Sequence, residues 1–311
     1  MRKKMRLGTL FNIFLLILGV ESVSLRGNNL RFDEDVIRGT NWFGFETEAS
    51  DLQCIWAHDL DWHLKRMQDV GFNWIRLPYS LQYVQTGYWE KMDAFFEKAS
   101  EYNFKIVLDC HRLHNNRQSP KPYDRTYSFN SFLEGWKTIL TRYKDYDNLT
   151  HVDIFNEFQS GNYEEWNQLA TETLLFIENE FPGRFLYMVG GVNWGGNLRN
   201  VKVNVPFMDR VIYSIHKYSF SDTAPYPEKW KYSFGSHTDQ MNVGEWGYMT
   251  EIKSQVSWAK EFVKYLRNNN IRDTYFWTWT QNSFDTKGIL TDCTNVDYQK
   301  ILLLHELWGK M

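Results

Sequence analysis

The chain has 311 residues, of which 43% are hydrophobic and 23% are charged, and its formal net charge at pH 7 is −3. A chain of this length buries about 75% of the surface that its unfolded form exposes, so its core requires neither a metal nor disulfides. The weakly acidic balance makes nucleic acid an unsuitable partner, because phosphate backbones are bound by clusters of Lys and Arg. Aromatic residues reach 17%, which indicates a large aromatic core, exposed stacking platforms, or both.

The first predicted element is a secretory signal peptide over residues 1–22. Basic residues at positions 2, 3, 4 and 6 precede a nearly continuous apolar segment at 7–20. This segment is shorter than the ~20 residues that span a membrane comfortably, which favours a cleaved signal over the alternative of a retained anchor. We therefore predict a secreted, extracellular protein that has no membrane association after cleavage, with a mature chain over residues 23–311.

Residues 23–35 contain two turn signals around short strand-like segments, which predicts a β-hairpin that closes one end of the main fold. After it, short apolar segments alternate with segments that repeat apolar residues at helical spacing. The predicted strands lie at residues 36–45, 72–77, 104–110, 152–155, 185–191, 211–215, 241–246 and 275–280. The predicted helices lie at residues 59–70, 88–102, 129–143, 163–180, 252–268 and 296–308. We expect Pro78 to end the second strand.

Eight single strands separated mostly by helices predict parallel pairing, because a parallel connection needs a long crossover. Eight such units in this length predict a closed (β/α)8 barrel, or TIM barrel, with the hairpin as a short N-terminal plug. The alternative is an open doubly wound sheet, which would carry G-x-G-x-x-G after its first strand. Residues 39–44 read G-T-N-W-F-G and do not fit that pattern. The sequence shows no linker, repeat or low-complexity segment, so we predict one catalytic domain.

Polar and aromatic residues collect at the predicted C-terminal ends of the strands, the face that carries the active site in a barrel. In strand order, they are Asn41 and Trp42, Arg76, His111, Asn156 and Glu157, His216 and Tyr218, Glu245, and Trp279. Two carboxyls on opposing strands suit glycoside hydrolysis, in which one protonates the leaving oxygen and the other attacks the anomeric carbon. In retaining enzymes these carboxyls lie about 5–5.5 Å apart.

The neighbours of these two carboxyls suit the same chemistry. Arg76 and Tyr218 would keep the nucleophile ionised, and Trp42 and Trp279 would offer apolar faces to pyranose rings. Each residue alone has a structural interpretation, such as a surface carboxylate or a core aromatic. Asp109 in particular is expected to hold a polar network rather than to act chemically. The occurrence of all of them at strand ends favours a functional site, and the absence of a nucleophile-elbow motif argues against a peptidase.

The three cysteines are Cys54, Cys110 and Cys293. Cys110 lies in a predicted strand and is expected to be a buried free thiol. Cys54 and Cys293 both fall in loops, and the sequence leaves open whether they form a disulfide. No Cys/His cluster suggests zinc, so we expect no metal and no cofactor. Asn148 begins the sequon N-L-T, which we expect on a surface loop.

Eight segments match a known family. They are R-G-T-N-W-F-G-F-E-T at 38–47, G-F-N-W-I-R-L-P-Y-S at 71–80, I-V-L-D-C-H-R at 106–112, N-E at 156–157, W-G-G-N-L at 194–198, I-H-K-Y at 215–218, G-E-W-G at 244–247 and F-W-T-W-T-Q-N-S-F-D-T-K-G-I-L at 276–290. Together they resemble the retaining glycoside hydrolases of family 5, and within it the secreted endo-β-1,4-glucanases (cellulases) of bacteria and fungi. The resemblance extends from about the hairpin to the last helix.

The resemblance implies roles for ten residues. Glu157 looks like the acid/base and Glu245 like the nucleophile. The supporting residues would be Arg76, Tyr218 and His216. The substrate-binding residues would be Asn156 at the sugar 2-hydroxyl, His111 at the cleavage subsite, Trp279 beneath that sugar, and Trp42 and Trp194.

Several positions depart from the family pattern, among them Trp246, which stands where Phe is commoner, and Cys110, which lies at a varied position. Phe158 stands where a proline usually follows Asn-Glu, and Lys287 stands where a glycine is usual in the loop after the last strand. We expect Phe158 and Lys287 to reshape the donor-side subsites. The loop at residues 219–240 is short for the group, which indicates an open cleft.

These observations predict a secreted, monomeric, metal-independent retaining β-glycosidase that cleaves inside a β-linked polysaccharide, with β-1,4-glucan as the expected substrate. The alternatives within the family are a β-mannanase and a xyloglucanase. An alternative from another class is a non-catalytic glycan-binding protein on the same frame. A metal hydrolase that uses His111 and His114 is a further alternative, with weaker support.

Overall fold

The computed structural model describes residues 35–281 and 283–309, so the predicted signal peptide and all but the last residue of the predicted hairpin lie outside the described residues. Within the described part, eight parallel strands form a closed barrel in which each strand pairs with the next and the last pairs with the first. The strands are β1 (Arg38–Asn41), β2 (Trp74–Ser80), β3 (Lys105–Arg112), β4 (Leu149–Asp153), β5 (Leu186–Gly190), β6 (Val211–Tyr218), β7 (Met241–Gly247) and β8 (Thr274–Phe276). The prediction of a (β/α)8 barrel is confirmed.

The helices lie outside the barrel and cover the strands. They are α1 (Leu60–Asp69), α2 (Leu81–Thr86), α3 (Glu90–Glu101), α4 (Phe129–Tyr143), α5 (Tyr163–Glu180), α6 (Tyr226–Phe234), α7 (Lys253–Asn268) and α8 (Tyr298–Trp308). The sequence pattern does not predict α2 and α6, because helices of 6 and 9 residues are too short to show a clear period. Among the described helices, none combines the length and the hydropathy that a membrane span requires.

Pro78 does not end β2, which continues to Ser80 beside β3. The backbone N–H of Trp42 donates to the Arg76 carbonyl at 3.1 Å, so the backbone groups of Arg76 face β1. Pro78 has the same orientation two residues later, where β1 has already ended at Asn41. Its missing N–H therefore costs no ladder hydrogen bond, as for proline on an edge strand.

The barrel interior begins with an apolar layer formed by Val107, Met188 and Tyr275. Gly39 makes room for this layer, because a Cβ there would lie 2.1 Å from Cδ1 of Tyr275. Above this layer, towards the C-terminal ends of the strands, the inward side chains become polar, beginning with Arg76 and Asp109. The apolar layer therefore closes the lower end of the barrel, and the upper end is left for a polar site.

Cys54 and Cys293 form a disulfide across 239 residues of sequence, which joins the loop after β1 to the loop after β8. Cys110 is a buried free thiol, as predicted. The expectation for Asn148 is wrong: its side chain is only 5% exposed and its amide donates to the Phe96 carbonyl at 3.4 Å. The folded chain therefore does not present this asparagine for glycosylation.

We expect the double substitution of Cys54 and Cys293 by Ser to lower the free energy of unfolding by about 2–4 kcal/mol, because the cross-link restricts a long loop of the unfolded chain. Calorimetry with and without a thiol reductant measures the effect. The reductant should lower the midpoint of the wild type and leave that of the double variant unchanged. Equal midpoints for the two oxidised proteins would contradict the expectation.

Candidate active site

Arg76 lies at the centre of the polar layer and is fully buried. Its guanidinium forms ion pairs with Asp109 at 3.1 Å, Asp153 at 2.9 Å and Glu245 at 2.6 Å. It also donates hydrogen bonds of 2.9 Å to the side-chain oxygens of Asn41 and Asn156. These partners lie in β1, β3, β4, the segment after β4, and β7. One side chain on β2 therefore contacts five other segments of the barrel.

Glu245 lies in β7 and is 3% exposed. Its Oε1 accepts from Arg76, and its Oε2 accepts from the Tyr218 hydroxyl at 2.6 Å. The pairing of β6 with β7 shifts by one residue just before Glu245, leaving Gly244 as an extra residue. A Cβ on Gly244 would lie 2.3 Å from Oγ of Ser214, so glycine is required for this bulge, which sets the direction of Glu245.

Glu157 follows β4 and has a left-handed backbone with φ of 54°. Such a conformation in a residue other than glycine persists only where the surroundings hold it, and it is common in active sites. Nδ1 of His216 lies 3.2 Å from a Glu157 oxygen and 3.5 Å from a Glu245 oxygen. Ligand atoms of these three residues lie within 4.8 Å of one another. The two carboxyls therefore face each other at about the spacing of a retaining glycosidase.

Burial is the main cause that raises the pKa of both Glu157 and Glu245, each to about 7. Two carboxyls this close do not both ionise readily. Glu245 accepts one hydrogen bond from a guanidinium and one from a hydroxyl, whereas Glu157 has the longer contact to His216. These contacts favour the charge on Glu245 and the proton on Glu157.

His111 is held as a neutral imidazole. Its Nε2 lies 3.3 Å from Nδ2 of Asn156, and its Nδ1 lies 2.7 Å from Asp109. Because an amide nitrogen only donates, Nε2 accepts and the Nδ1–H donates to Asp109, which confirms that Asp109 belongs to a polar network. Burial lowers the pKa of His111 well below its usual value. His111 and Arg76 together orient the Asn156 amide.

A cavity of about 730 Å³ opens above the two carboxyls and forms the cleft of the site. Of the predicted site residues, its wall includes His111, Glu157, Trp194, His216, Tyr218 and Glu245. It also includes residues that the sequence pattern does not assign to the site, among them Arg112, Gln118, Lys217, Phe220, Trp277 and Asp285. A groove of about 890 Å³ beside α3 contains none of the predicted site residues.

The prediction that Trp279 and Trp42 stack on sugar rings is wrong. Trp279 and Trp42 are fully buried, and neither ring lines the cleft. The Trp279 indole donates to Nδ1 of His63 at 3.0 Å, and Trp42 packs on the same histidine. Trp277 lines the cleft instead, stacked on His111 and Phe43 at 5.3 and 5.7 Å. The reason is that β8 ends at Phe276, so Trp277 is the first residue beyond the strand.

Phe158 and Lys287, the departures that were expected to reshape the subsites, also lie away from the cleft. Phe158 is buried and stacks on Trp166 at 5.1 Å. Lys287 pairs with Glu251 at 3.1 Å on the exposed surface. Neither residue lines the cleft, so the expectation that they reshape subsites is wrong.

Glu157, His216 and Glu245 also form, within the described residues, a cluster of ligand atoms close enough for a metal ion. The Arg76 guanidinium at 2.6 Å from Glu245 disfavours a second cation, and both Glu245 oxygens already accept hydrogen bonds. His114 pairs with Asp124 at 2.7 Å, away from His111. The arrangement therefore suits acid–base and nucleophilic chemistry better than metal binding.

The chain is similar to known glycoside hydrolases in sequence and in fold. Residues 32–283 match the family model "Cellulase (glycosyl hydrolase family 5)". The chain is 30% identical to an endoglucanase of Paenibacillus polymyxa, over 83% of this chain and 79% of the relative. It is 27% identical to the major extracellular endoglucanase of Xanthomonas campestris pv. campestris, over 88% of this chain and 68% of the relative. The structure of an endocellulase from Pyrococcus horikoshii in complex with cellotetraose superposes with a TM-score of 0.81 at 25% identity, covering 88% of this chain and 92% of that one.

We expect Arg76→Met to lower the free energy of unfolding by about 3–5 kcal/mol at pH 7, because it leaves buried carboxylates without their cation. Burial raises the pKa of Asp109 to about 7 and of Asp153 to about 6. Since these values exceed those of the unfolded chain, the stability from these groups is present at low pH and is lost as pH rises through 6 to 7. Arg76 opposes this effect of burial and lowers the pKa of both carboxyls. The variant therefore keeps these protons to a higher pH than the wild type, and its deficit should be larger at pH 8 than at pH 5.

Urea unfolding at the two pH values, followed by tryptophan fluorescence, measures this difference. The matched control is Arg142→Met, which breaks a partly exposed pair with Asp93 and should cost only about 0–1 kcal/mol. A deficit for Arg76→Met that is the same at both pH values would contradict the role of Arg76 as the counter-ion.

Proposed function

This chain belongs to glycosyl hydrolase family 5, and from that premise we propose that it is an endo-β-1,4-glucanase in which Glu157 is the acid/base and Glu245 the nucleophile. The chain is thus a glycosidase, and its substrate is a polysaccharide. The observation that carries the residue assignment is the pair of facing carboxyls in different environments. Glu245 accepts hydrogen bonds from Arg76 and Tyr218, whereas Glu157 contacts His216 and has a pKa that burial raises to about 7.

In the first step, a Glu245 oxygen forms a bond to the anomeric carbon as the bond from that carbon to the glycosidic oxygen breaks. Glu157 gives its proton to the departing oxygen, so the leaving sugar departs as an alcohol. Arg76 and Tyr218 stabilise the attacking carboxylate and fix its direction. The Asn156 amide, oriented by Arg76 and His111, is placed to hydrogen-bond the sugar 2-hydroxyl.

In the second step, Glu157 is a carboxylate and accepts a proton from a water molecule that attacks the same carbon. The bond to Glu245 breaks and its carboxylate is restored between Arg76 and Tyr218. Two displacements retain the configuration at the anomeric carbon. One oxygen of Glu157 and one oxygen of Glu245 lie within 4.8 Å of each other, which supports this route, because the carboxyls of an inverting enzyme lie about 6.5–9.5 Å apart to admit a water molecule.

The preference for β-1,4-glucan is supported by the similarity to an endoglucanase and to an endocellulase. β-Mannan and xyloglucan remain the alternatives within the family. A non-catalytic glycan-binding role is disfavoured, because the acid, the nucleophile and the residues that support them are all in place.

We further propose that residues 23–311 form one monomeric catalytic domain and that residues 1–22 direct its secretion. The sequence pattern of residues 1–22 supports export, as does the similarity to a relative that is named extracellular. We assign the reaction neither a cofactor nor a metal.

Glu157→Gln and Glu245→Gln should each lower kcat on carboxymethylcellulose by at least about 10²–10⁴-fold, because an amide neither transfers the proton nor attacks carbon. Reducing-end and viscosity assays measure the loss and show whether cleavage is internal. A β-cellobioside with an acidic dinitrophenol leaving group needs no protonation, so Glu157→Gln should retain most of its first-step rate there.

Glu245→Gln should remain inactive on that activated substrate, and chelator should leave the wild type unaffected. The control is Glu251→Gln, which changes an exposed carboxyl that pairs with Lys287 outside the cleft. Full activity of either site variant on carboxymethylcellulose would overturn the assignment of that residue.

The pH profile provides an independent prediction. Because burial raises the pKa of Glu157 to about 7, kcat/KM should fall as pH rises through about 7 and the acid loses its proton. At lower pH, the rate should fall when Glu245 takes up a proton. The profile of Glu157→Gln on the dinitrophenyl substrate should lack the basic limb, and a basic limb that persists there would assign that ionisation to another group.

A further inference from the structure

Phe220 is a ring in the cleft wall that the reaction steps above do not use. It is 55% exposed and lies two residues beyond Tyr218. The two rings stack with their centroids 5.1 Å apart and their planes at 25°. The Tyr218 hydroxyl contacts the nucleophile, so Phe220 stands one ring away from the reacting centre.

The turn that carries Phe220 is fastened to the body of the protein. The backbone N–H groups of Ser221 and Asp222 both donate to the Tyr218 carbonyl at 3.2 Å. The Asp222 carboxylate accepts the indole N–H groups of Trp230 at 2.6 Å and Trp258 at 3.0 Å. These indoles belong to α6 and α7, so the exposed ring is held in a fixed place and little order must be gained when a ligand stacks on it.

A second tie joins this turn to the loop that carries Trp194. The Lys217 side chain is almost buried; its Nζ donates to the Gly196 carbonyl at 2.9 Å and lies 4.0 Å from Asp222. Trp194 is 56% exposed in the same cleft. Two exposed rings therefore stand at the β5–β6 side of the cleft, on loops that are anchored to the same strand.

Trp277 lies on the other side of the cleft. It stacks on Phe43, which follows β1, and on His111, which lies in β3. The order of strands around the barrel places β4 and β7 between these two sides. Glu157 and Glu245 come from those two strands. A sugar chain that crosses the cleft therefore meets Trp277 on one side of the two carboxyls and Phe220 on the other.

The position of the acid decides which side holds the leaving group. Glu157 contacts His216 of β6, and the Trp194 N–H donates to the carbonyl of Phe158, the residue after the acid, at 3.2 Å. The proton is thus delivered beside the β5–β6 side. A β-linked glucosyl ring with equatorial hydroxyls presents apolar C–H faces that stack on aromatic rings.

We propose that Phe220 is a stacking platform for the leaving-group part of the chain and sets the preference for longer β-1,4-glucans. This proposal rests on the proposed retaining glucanase activity. Phe220 binds a sugar unit beyond the scissile bond, on the opposite side from Trp277. Its contribution is to the binding of the departing chain rather than to the chemistry at the anomeric carbon.

The test compares two substrates in Phe220→Ala. In β-cellobiosyl fluoride the leaving group is a fluoride ion, which does not reach Phe220, whereas cellopentaose places sugar units on both sides of the scissile bond. We expect kcat/KM for cellopentaose to fall about tenfold, mainly through KM, from the loss of one ring-stacking contact. For the fluoride it should stay within about twofold, and Phe220→Trp should restore the activity on cellopentaose.

The matched control is Tyr232→Ala, which removes a ring that is 57% exposed on α6 and does not line the cleft; both substrates should be unaffected. Unchanged cleavage of cellopentaose by Phe220→Ala would overturn the platform. Equal losses on both substrates, with a shifted pH profile, would also overturn it, because Phe220 would then act only through Tyr218. A wild type that cleaves neither substrate would instead overturn the proposed function itself, and this inference with it.

Discussion

The ion pairs of Arg76 hold the upper half of the barrel together. A guanidinium buried without partners would be prohibitively unfavourable, and so would Asp109, Asp153 and Glu245 without a cation. Their contacts of 2.6 to 3.1 Å bring all three carboxyls to the one cation and join strands that are far apart in sequence. Since one cation faces several carboxyls, the cluster readily holds protons near neutral pH. Stability and acid–base chemistry are therefore set by the same contacts.

Backbone geometry then distinguishes the two carboxyls of the site. A bulge at Gly244 brings Glu245 to Arg76 and Tyr218, where the anion is stabilised. Glu157 follows β4 and itself has a left-handed backbone, which directs its side chain towards His216 rather than towards Arg76. Two residues of the same type thus acquire different hydrogen-bond partners because their strands end differently. The proposed roles of the two carboxyls rest on this difference.

Aromatic residues divide between packing and binding according to how far each lies from the end of a strand. Trp42 and Trp279 pack beneath the loops against His63, whereas Trp277, Trp194 and Phe220 line the cleft. The exposed rings are held by contacts to other elements, as Asp222 and Lys217 show for the β5–β6 side. A chain rich in aromatic residues therefore supplies both a dense core and fixed rings in the wall of the cleft.

The sequence by itself determined the barrel and the polar residues of its upper end. Strand-forming segments alternate with helical ones, and parallel strands bring their C-terminal ends together, so Arg76, Glu157 and Glu245 could be placed in one site without coordinates. Only the tertiary structure decided that Trp277 rather than Trp279 faces the cleft, that Asn148 is buried, and that Phe220 is exposed beside Tyr218. These outcomes depend on where each strand ends and how its loop packs against distant segments. Such contacts leave no local pattern in the chain, whereas strand periodicity does.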